Sequence, residues 1–102
     1  MVIHSVFFWL ANPDSKADFD QLKSGLLALK DTGLALTINV GIPADNEPRS
    51  VLDKSYSIAS NLVFKTVEDE MAYQIHPLHQ KFISECKHLW KDVKVYDVET
   101  FE

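Results

Sequence analysis

Three side chains that can handle protons, Tyr73, His76 and His79, lie within a stretch of seven residues. A neutral imidazole accepts a proton near pH 7, and a neutral phenol donates a hydrogen bond to an enolate as its charge develops. A pair of such groups can enolise a carbonyl compound. Tyr73 and His79 are therefore predicted as an acid–base pair.

The position of His79 predicts that its side chain points into the protein, because it heads a stripe of apolar residues at helical spacing. The stripe comprises Phe82, Ile83, Cys86, Leu89 and Trp90. Burial and the nearby helix N-terminus both disfavour the charged imidazolium, so a neutral ring is expected. Histidines at such positions also serve as packing residues with satisfied hydrogen bonds, and this structural alternative stays open for His79.

His76 and Tyr73 have structural interpretations as well. His76 precedes Pro77, and proline suits the first position of a helix, so His76 is expected at the N-cap. Capping is favoured over chemistry for this residue. Tyr73 is alternatively a hydrogen-bonded residue at the rim of a pocket.

The elements that must position these residues follow from hydrophobic periodicity and from cap and turn signals. Thr66 and Asp69 have capping-box spacing for a helix that begins at Val67, and Pro77 is expected to bend the chain and start a second helical segment. In order, the chain is predicted to form a strand over 2–10, a helix ending near Gly33, a strand over 34–42, a strand over 55–65, the bent helix, and a strand over 93–98. This β-α-β-β-α-β order predicts an α+β fold of the ferredoxin-like type, with two helices on one face of a four-stranded antiparallel sheet.

The uncovered face of that sheet predicts a partner. Residues 2–10, 34–42 and 55–64 carry no charged side chain, whereas a strand facing water usually carries Lys, Glu or Arg at alternate positions. Phe7 and Trp9 fall on one face of the first strand, so a homodimer with two sheets face to face, closing towards a barrel, is expected. The alternative is a monomer in which small polar residues face water. These residues are Thr37, Asn39, Ser57, Ala59 and Asn61.

The pattern Y-x-x-H-P-x-H-x-x-F over residues 73–82, before an amphipathic segment and a last strand, resembles the signature of the stress-responsive dimeric A/B barrel (Dabb) family. His4, near the start of the first strand, fits the same pattern. The resemblance implies a ferredoxin-like protomer in a dimeric α/β barrel. Most members have no established activity, and some are associated with stress responses in plants. In a similar protein, olivetolic acid cyclase, the proposed acid–base pair corresponds to Tyr73 and His79.

We therefore predict a small-molecule pocket between sheet and helices, with Tyr73 and His79 as catalytic residues and His4, His76 and Phe82 as substrate-binding residues. The predicted activity is that of a cofactor-free cyclase or lyase. One alternative is a non-catalytic stress-response or ligand-binding dimer whose histidines are structural. A weaker one is a monooxygenase or haem protein with His79 as axial ligand, as in other ferredoxin-like dimers.

Other classes of function are disfavoured. No Cys or carboxylate stands at a recognised spacing from the histidines, and H-x-x-H alone is a weak zinc signal, so no metal and no cofactor are predicted. There is no G-x-S-x-G motif and no glycine-rich phosphate loop. The net charge of −5 without a basic cluster disfavours nucleic acid, and no apolar run approaches the ~20 residues of a membrane span. We expect one soluble domain over 1–102, and the lone Cys86 suits a reducing cytoplasm.

Overall fold

A computed structural model describes residues 1–101 as a four-stranded antiparallel sheet with helices on one face. In chain order the elements are β1 (Val2–Leu10), α1 (Lys16–Ala28), β2 (Thr37–Gly41), β3 (Ile58–Phe64), α2 (Val67–Gln74), α3 (Pro77–Cys86) and β4 (Trp90–Glu99), with short 3-10 turns at Leu29–Thr32 and Lys87–Leu89. The strands are arranged β2-β3-β1-β4. The predicted ferredoxin-like α+β fold is confirmed.

The helices begin at the predicted residues because side chains there accept hydrogen bonds from otherwise unpaired backbone N–H groups. The Ser15 hydroxyl accepts from the Asp18 N–H at 3.1 Å, and the Thr66 hydroxyl accepts from the Asp69 N–H at 3.1 Å. His76 is the N-cap of α3, and its Nδ1 accepts from the N–H of Leu78 at 3.1 Å. The bend predicted at Pro77 is therefore confirmed as the junction of α2 and α3.

The edge strand β2 is shorter than the predicted strand over 34–42. It pairs only with β3, from Thr37 opposite Val63 to Gly41 opposite Ala59. Leu36 and Ile42, beyond its two ends, are exposed. The alternating hydrophobic residues thus extend beyond the paired segment on both sides, although the Leu36 N–H still donates to the Val63 carbonyl of β3 at 2.7 Å.

The last strand, β4, is longer than predicted, whereas β2 is shorter. Helix α3 ends at Cys86, and Trp90, expected on the helical stripe, is the first residue of β4. Strand β4 extends beyond the predicted 93–98 because it pairs with β1 along its length, from Leu10 opposite Trp90 to Val2 opposite Glu99. Pairing with a long central strand overrides the local helical spacing.

The helix-covered face of the sheet forms the core. Alternate residues of β1, including His4, Val6 and Phe8, are buried there, as are alternate residues of β3. The helices contribute Leu22, Leu26, Phe82 and Cys86. His4 therefore shares the face of Val6 and Phe8, as its spacing predicts.

The opposite face carries aromatic side chains and has no helix over it within residues 1–101. The Phe7 ring lies 5.0 Å from the ring of Tyr56 and 6.2 Å from that of Tyr96, centroid to centroid. The ammonium group of Lys94 lies 5.7 Å from the centroid of the Trp9 ring. None of the helices in the described part of the chain has the length and apolar character needed to cross a bilayer.

Candidate active site

A cleft of about 330 Å³ lies between the helices and the β1–β4 half of the sheet. The register places Val93 and Val95 beside Phe8 and Val6, on the face that the helices cover. The helices do not extend fully over this edge, so Val95 remains 50% exposed. The cleft is the gap that results. Its walls are mainly apolar, and include Leu26, Leu29, Phe82, Ile83 and Trp90.

Tyr73 and His79 meet in the wall of this cleft. Tyr73 ends the buried side of α2, and His79 lies in the first turn of α3, so the bend at Pro77 turns both side chains towards the sheet. Their ring centroids are 4.7 Å apart in an edge contact. Tyr73 is 2% exposed and His79 is half-buried. The two predicted catalytic residues therefore lie in contact beside a space of ligand size.

His4 completes a row of three rings, because its centroid lies 6.0 Å from that of Tyr73. The side chain is buried, and its Nδ1 lies 2.5 Å from Oδ1 of Asp97. An ionised carboxylate only accepts hydrogen bonds, so we assign the proton to Nδ1, which leaves Nε2 as an acceptor. Within residues 1–101 no group hydrogen-bonds Nε2 of His4 or the Tyr73 hydroxyl, and neither atom is sealed from solvent. Both therefore reach the cleft.

The surroundings of the pair favour the neutral forms that acid–base chemistry needs. Burial lowers the pKa of His79, and the nearby His4 ring lowers it further, while the Gln74 backbone partly opposes both. Burial raises the pKa of Tyr73 well above its ordinary value, and the negative charge of Glu70 raises it further. At neutral pH His79 is then a proton acceptor and Tyr73 a hydrogen-bond donor.

The other predicted site residues divide into two groups. Phe82 lines the cleft, and the centroid of its ring lies 6.3 Å from that of the His79 ring. A ligand in the cleft would therefore lie beside it. His76 caps α3 and is not among the residues that line the cleft. Cys86 is buried, and burial raises the pKa of its thiol, so it does not have the properties of a nucleophile. His88 is exposed.

Sequence reasoning missed the two carboxylates at the end of the cleft, Glu70 and Asp97. One ligand atom from each, together with one nitrogen of His4, lie within 4.8 Å of one another. The contact between His4 and Asp97 joins residues 93 positions apart. Only the pairing of β1 with β4 brings them together, so no local spacing could have indicated the group.

A second depression, of about 730 Å³, lies along α3 and shares Gln74, His79 and Ile83 with the cleft. Its lining includes the exposed residues Gln80, Ser84 and Lys87. It lacks Tyr73 and His4, whose buried polar atoms give the cleft its chemistry. We therefore place the candidate site in the cleft.

The sequence profile of the stress responsive A/B barrel domain family, Dabb, matches residues 2–100. The chain belongs to this family. No sequence among the curated proteins is significantly similar to this Dabb protein.

Solved structures resemble the Dabb chain along almost its whole length. A protein from Arabidopsis thaliana is 18% identical with a TM-score of 0.81, covering 100% of this chain and 97% of that one. A dimeric ferredoxin-like protein of unknown function from Thermobifida fusca is 15% identical with a TM-score of 0.77, covering 97% and 90%. A hydroxynitrile lyase from Passiflora edulis is 22% identical with a TM-score of 0.77, covering 99% and 96%. At these identities the likenesses establish the shared fold.

Proposed function

We propose that this Dabb protein is a homodimeric acid–base catalyst that acts on small, largely apolar carbonyl compounds without an organic cofactor, in a cyclase- or lyase-type reaction. The observation that carries the proposal is the contact of the Tyr73 and His79 rings, 4.7 Å apart, in the wall of a cleft of about 330 Å³. That volume lies at the lower end of the roughly 300–1,000 Å³ range of ligand pockets.

The proposed step is an enolisation. Neutral Nε2 or Nδ1 of His79 takes a proton from the carbon next to the carbonyl, and the electron pair of that C–H bond forms the C=C bond of the enolate. The Tyr73 hydroxyl donates a hydrogen bond to the enolate oxygen as it becomes negative. In a cyclase reaction the enolate carbon then attacks a second carbonyl carbon, the π bond of that carbonyl breaks to leave an alkoxide, and the alkoxide takes the proton from the histidine. In simple exchange the enolate carbon itself regains a proton from the histidine.

Tyr73 and His79 also suit a reaction that breaks a C–C bond instead of forming one. In a lyase reaction on a hydroxynitrile, a base removes the hydroxyl proton, the C–C bond to the nitrile breaks, and an aldehyde and cyanide leave. The Passiflora edulis structure of the same fold is named a hydroxynitrile lyase. That name supports including this reaction class among the activities to be measured.

The substrate proposed for this site is uncharged or cationic and has an apolar body. Valine, leucine and aromatic side chains form most of the walls of the cleft, and Glu70 and Asp97 are its acidic members. No Lys or Arg lines the cleft within residues 1–101. An anionic substrate would therefore meet repulsion and no compensating charge.

Hydrogen–deuterium exchange next to a carbonyl group tests the proposed step without knowledge of the natural substrate. The full chain is incubated in D2O with phenylacetone, and loss of the methylene signal is followed by proton NMR; release of cyanide from mandelonitrile is measured in parallel. We expect exchange above the buffer rate. Tyr73→Phe and His79→Ala should each slow it by about 100-fold or more, the usual contribution of a positioned acid or base.

Tyr56→Phe and His88→Ala are the matched controls, because they alter a phenol and an imidazole that lie outside the cleft. Both should retain full exchange. Equal losses in control and site variants would contradict the assignment of the pair, and so would wild-type rates equal to the buffer in both assays. The non-catalytic alternative predicts that second result, with ligands still bound in the cleft.

Homodimer formation is the second part of the proposal, and the open sheet face supports it. Phe7 and Trp9 are only half-buried in one chain, and Val98 is 53% exposed on the adjacent strand. The Thermobifida fusca neighbour is described as dimeric. Light scattering should report twice the 11.6 kDa of the chain. Phe7→Lys should return that mass to one chain, whereas a wild-type mass of one chain would contradict the proposal.

The proposed location is the cytoplasm. The single cysteine, Cys86, is buried and free, so the fold uses no disulfide within residues 1–101. A reducing compartment would leave this thiol unchanged. Fractionation of cells that express the protein, followed by detection with an antibody against the chain, would measure the location directly.

A further inference from the structure

A histidine and two carboxylates from three separate elements converge at one end of the cleft. His4 comes from β1, Glu70 from α2 and Asp97 from β4, and one ligand atom of each lies within 4.8 Å of the others. Ligand atoms of a four-coordinate zinc site lie about 3.4 Å apart, given bonds of about 2.0–2.1 Å. Rotation of the Glu70 side chain, which has three rotatable bonds, would bring its carboxylate closer to the other two ligand atoms.

The charges around this group favour a cation. Glu99 lies two residues after Asp97 and lines the same outer groove as Asp97 and Glu70. Within residues 1–101, the ion pairs made by lysine are those of Lys16 with Asp20 and Lys81 with Glu85, and none of these residues lines the groove. Among residues 1–101, His4 is the one side chain with a positive form that pairs with Asp97. Three carboxylates without a lysine or arginine attract a divalent ion.

The group is more than a set of surface carboxylates, because its nitrogen ligand is buried. His4 is 5% exposed, whereas the side chain of Asp97 is 46% exposed. The buried imidazole is held in place by the strand pairing on both sides of β1 and by ring contacts with Tyr73 and Phe64. The exposed carboxylate gives an ion a path of entry from solvent.

We infer that His4, Glu70 and Asp97 form a binding site for a divalent first-row transition-metal ion, with Zn²⁺ as the preferred occupant. An imidazole nitrogen with two carboxylates suits such an ion, whereas Mg²⁺ prefers oxygen ligands alone. The ion replaces the proton that Nδ1 of His4 shares with Asp97. Three protein ligands leave one coordination position for water or a bound ligand at the end of the cleft.

This inference goes beyond the proposed acid–base function and does not depend on it. The ion would join β1, α2 and β4 at the edge where the helices leave the sheet partly uncovered. Binding to the folded chain alone would stabilise that chain. The site can therefore be tested by affinity and stability, with no measurement of catalysis.

The test is a titration of the full, metal-free chain with Co²⁺, which reports its ligands through its visible absorption, followed by displacement with Zn²⁺. We expect one equivalent per chain and displacement by Zn²⁺ but not by Mg²⁺. Glu70→Gln and Asp97→Asn, which keep the side-chain shape, should each weaken Zn²⁺ binding by more than about 10-fold, a loss that even residues behind the ligands can cause.

Two carboxylates on the same elements provide controls. Glu68→Gln alters an exposed residue of α2, and Asp92→Asn alters a β4 residue that pairs with Trp9 on the opposite sheet face. Both should bind Zn²⁺ with wild-type affinity, and circular dichroism verifies that each variant is folded. Zn²⁺ should raise the unfolding temperature of the wild type but not of Asp97→Asn.

Three results would overturn the inference. These are a Co²⁺ spectrum that stays that of the hydrated ion at one equivalent, a control variant that weakens binding as much as Asp97→Asn, and full affinity in both ligand variants. Any of them leaves the deuterium-exchange test of Tyr73 and His79 untouched. Loss of exchange in the site variants with normal metal binding would, in turn, separate the two conclusions.

Discussion

The two faces of the sheet are made by the same strands but differ in what lies against them. On the helix-covered face, His4, Val6 and Phe8 of β1 are buried beneath α1 and α3. On the open face, Phe7 and Trp9 of the same strand contact open-face side chains of β4 and the loop before β3. A polar group on the first face is therefore desolvated by this chain alone. On the second face only a partner can desolvate it.

This difference explains why the candidate site is on the helix-covered face. Burial alters the pKa values of His79 and Tyr73 because water is excluded around them. Aromatic residues also cluster on the open face, where Phe7, Tyr56 and Tyr96 meet. Their surroundings suit association between sheets, since they combine large apolar rings with polar edges.

The largest expected difference between the faces is in stability. Phe8→Ala should lower the free energy of unfolding by about 3–5 kcal/mol, the usual cost of removing a buried phenylalanine, because the Phe8 ring packs against Trp90 and Phe82. Phe7→Ala should cost roughly 1–2 kcal/mol within one chain, since the ring is only half-buried. Urea denaturation of both variants gives the two values.

Repeating the denaturation at several protein concentrations tests the difference between the two faces further. If two sheets associate through the open face, the stability of the wild type rises with concentration, and Phe7→Ala should reduce that rise. Phe8→Ala should leave the rise in place. A concentration-independent cost for Phe7→Ala equal to that of Phe8→Ala would contradict the distinction between the faces.

The second prediction concerns the pH dependence of activity on the helix-covered face. His79 acts as a base only when neutral, and its lowered pKa places protonation below the ordinary value of about 6.5. Activity should therefore be constant near neutral pH and fall only as the pH drops below about 6.5, by about tenfold per unit once the ring is protonated. This fall is the acid limb of the pH profile. It is measured as kcat/KM for deuterium exchange against pH, with a chelator present.

An acid limb above pH 6.5 would contradict the prediction. It would mean that the charged imidazolium is stabilised, as expected if Glu70 or Asp97 outweighed burial at His79. His79→Ala should remove the limb together with most of the activity. His88→Ala should leave the profile unchanged, because His88 is exposed and lies outside the cleft.

Much of the fold could be predicted because its signals are local. The Thr66 hydroxyl caps α2 by accepting from the Asp69 N–H within one turn, and His76 with Pro77 starts α3. The meeting of Tyr73 with His79 follows from the same bend. The assignment of Trp90 to the helical stripe was wrong, because helical spacing and strand pairing compete there and the long β1 decides between them. The choice depends on the whole sheet.

The polar end of the cleft was beyond sequence reasoning for a related reason. Asp97 reaches His4 through the antiparallel register, in which these two residues are direct partners. A shift of that register by one residue would turn Asp97 to the open face. Strand β4 carries charges on both faces, so its hydrophobic pattern does not fix which carboxylates face the helices. The structure was needed to identify this group.

The smallest predicted difference compares two glycines. Gly25 lies in α1, one of the helices that cover the sheet. An added Cβ would be 2.9 Å from Sγ of Cys86 and 3.1 Å from the Phe82 ring. Gly41 lies at the end of edge strand β2, where an added Cβ would meet nothing within 4 Å. Alanine in a helix gains about 1 kcal/mol over glycine, but overpacking costs about 1–3 kcal/mol. Gly25→Ala should therefore destabilise by about 1 kcal/mol.

Gly41→Ala is the matched control and should change the free energy of unfolding by less than about 0.5 kcal/mol. The cause assigned to Gly25 can be isolated by removing the sulfur that the new methyl group would meet. In the double variant Gly25→Ala, Cys86→Ala, the cost should be smaller than the sum of the single costs, since the two side chains then share the space. If Gly25→Ala instead stabilised the chain by its full helical gain, α1 and α3 would be packed less closely than their contact at Cys86 indicates.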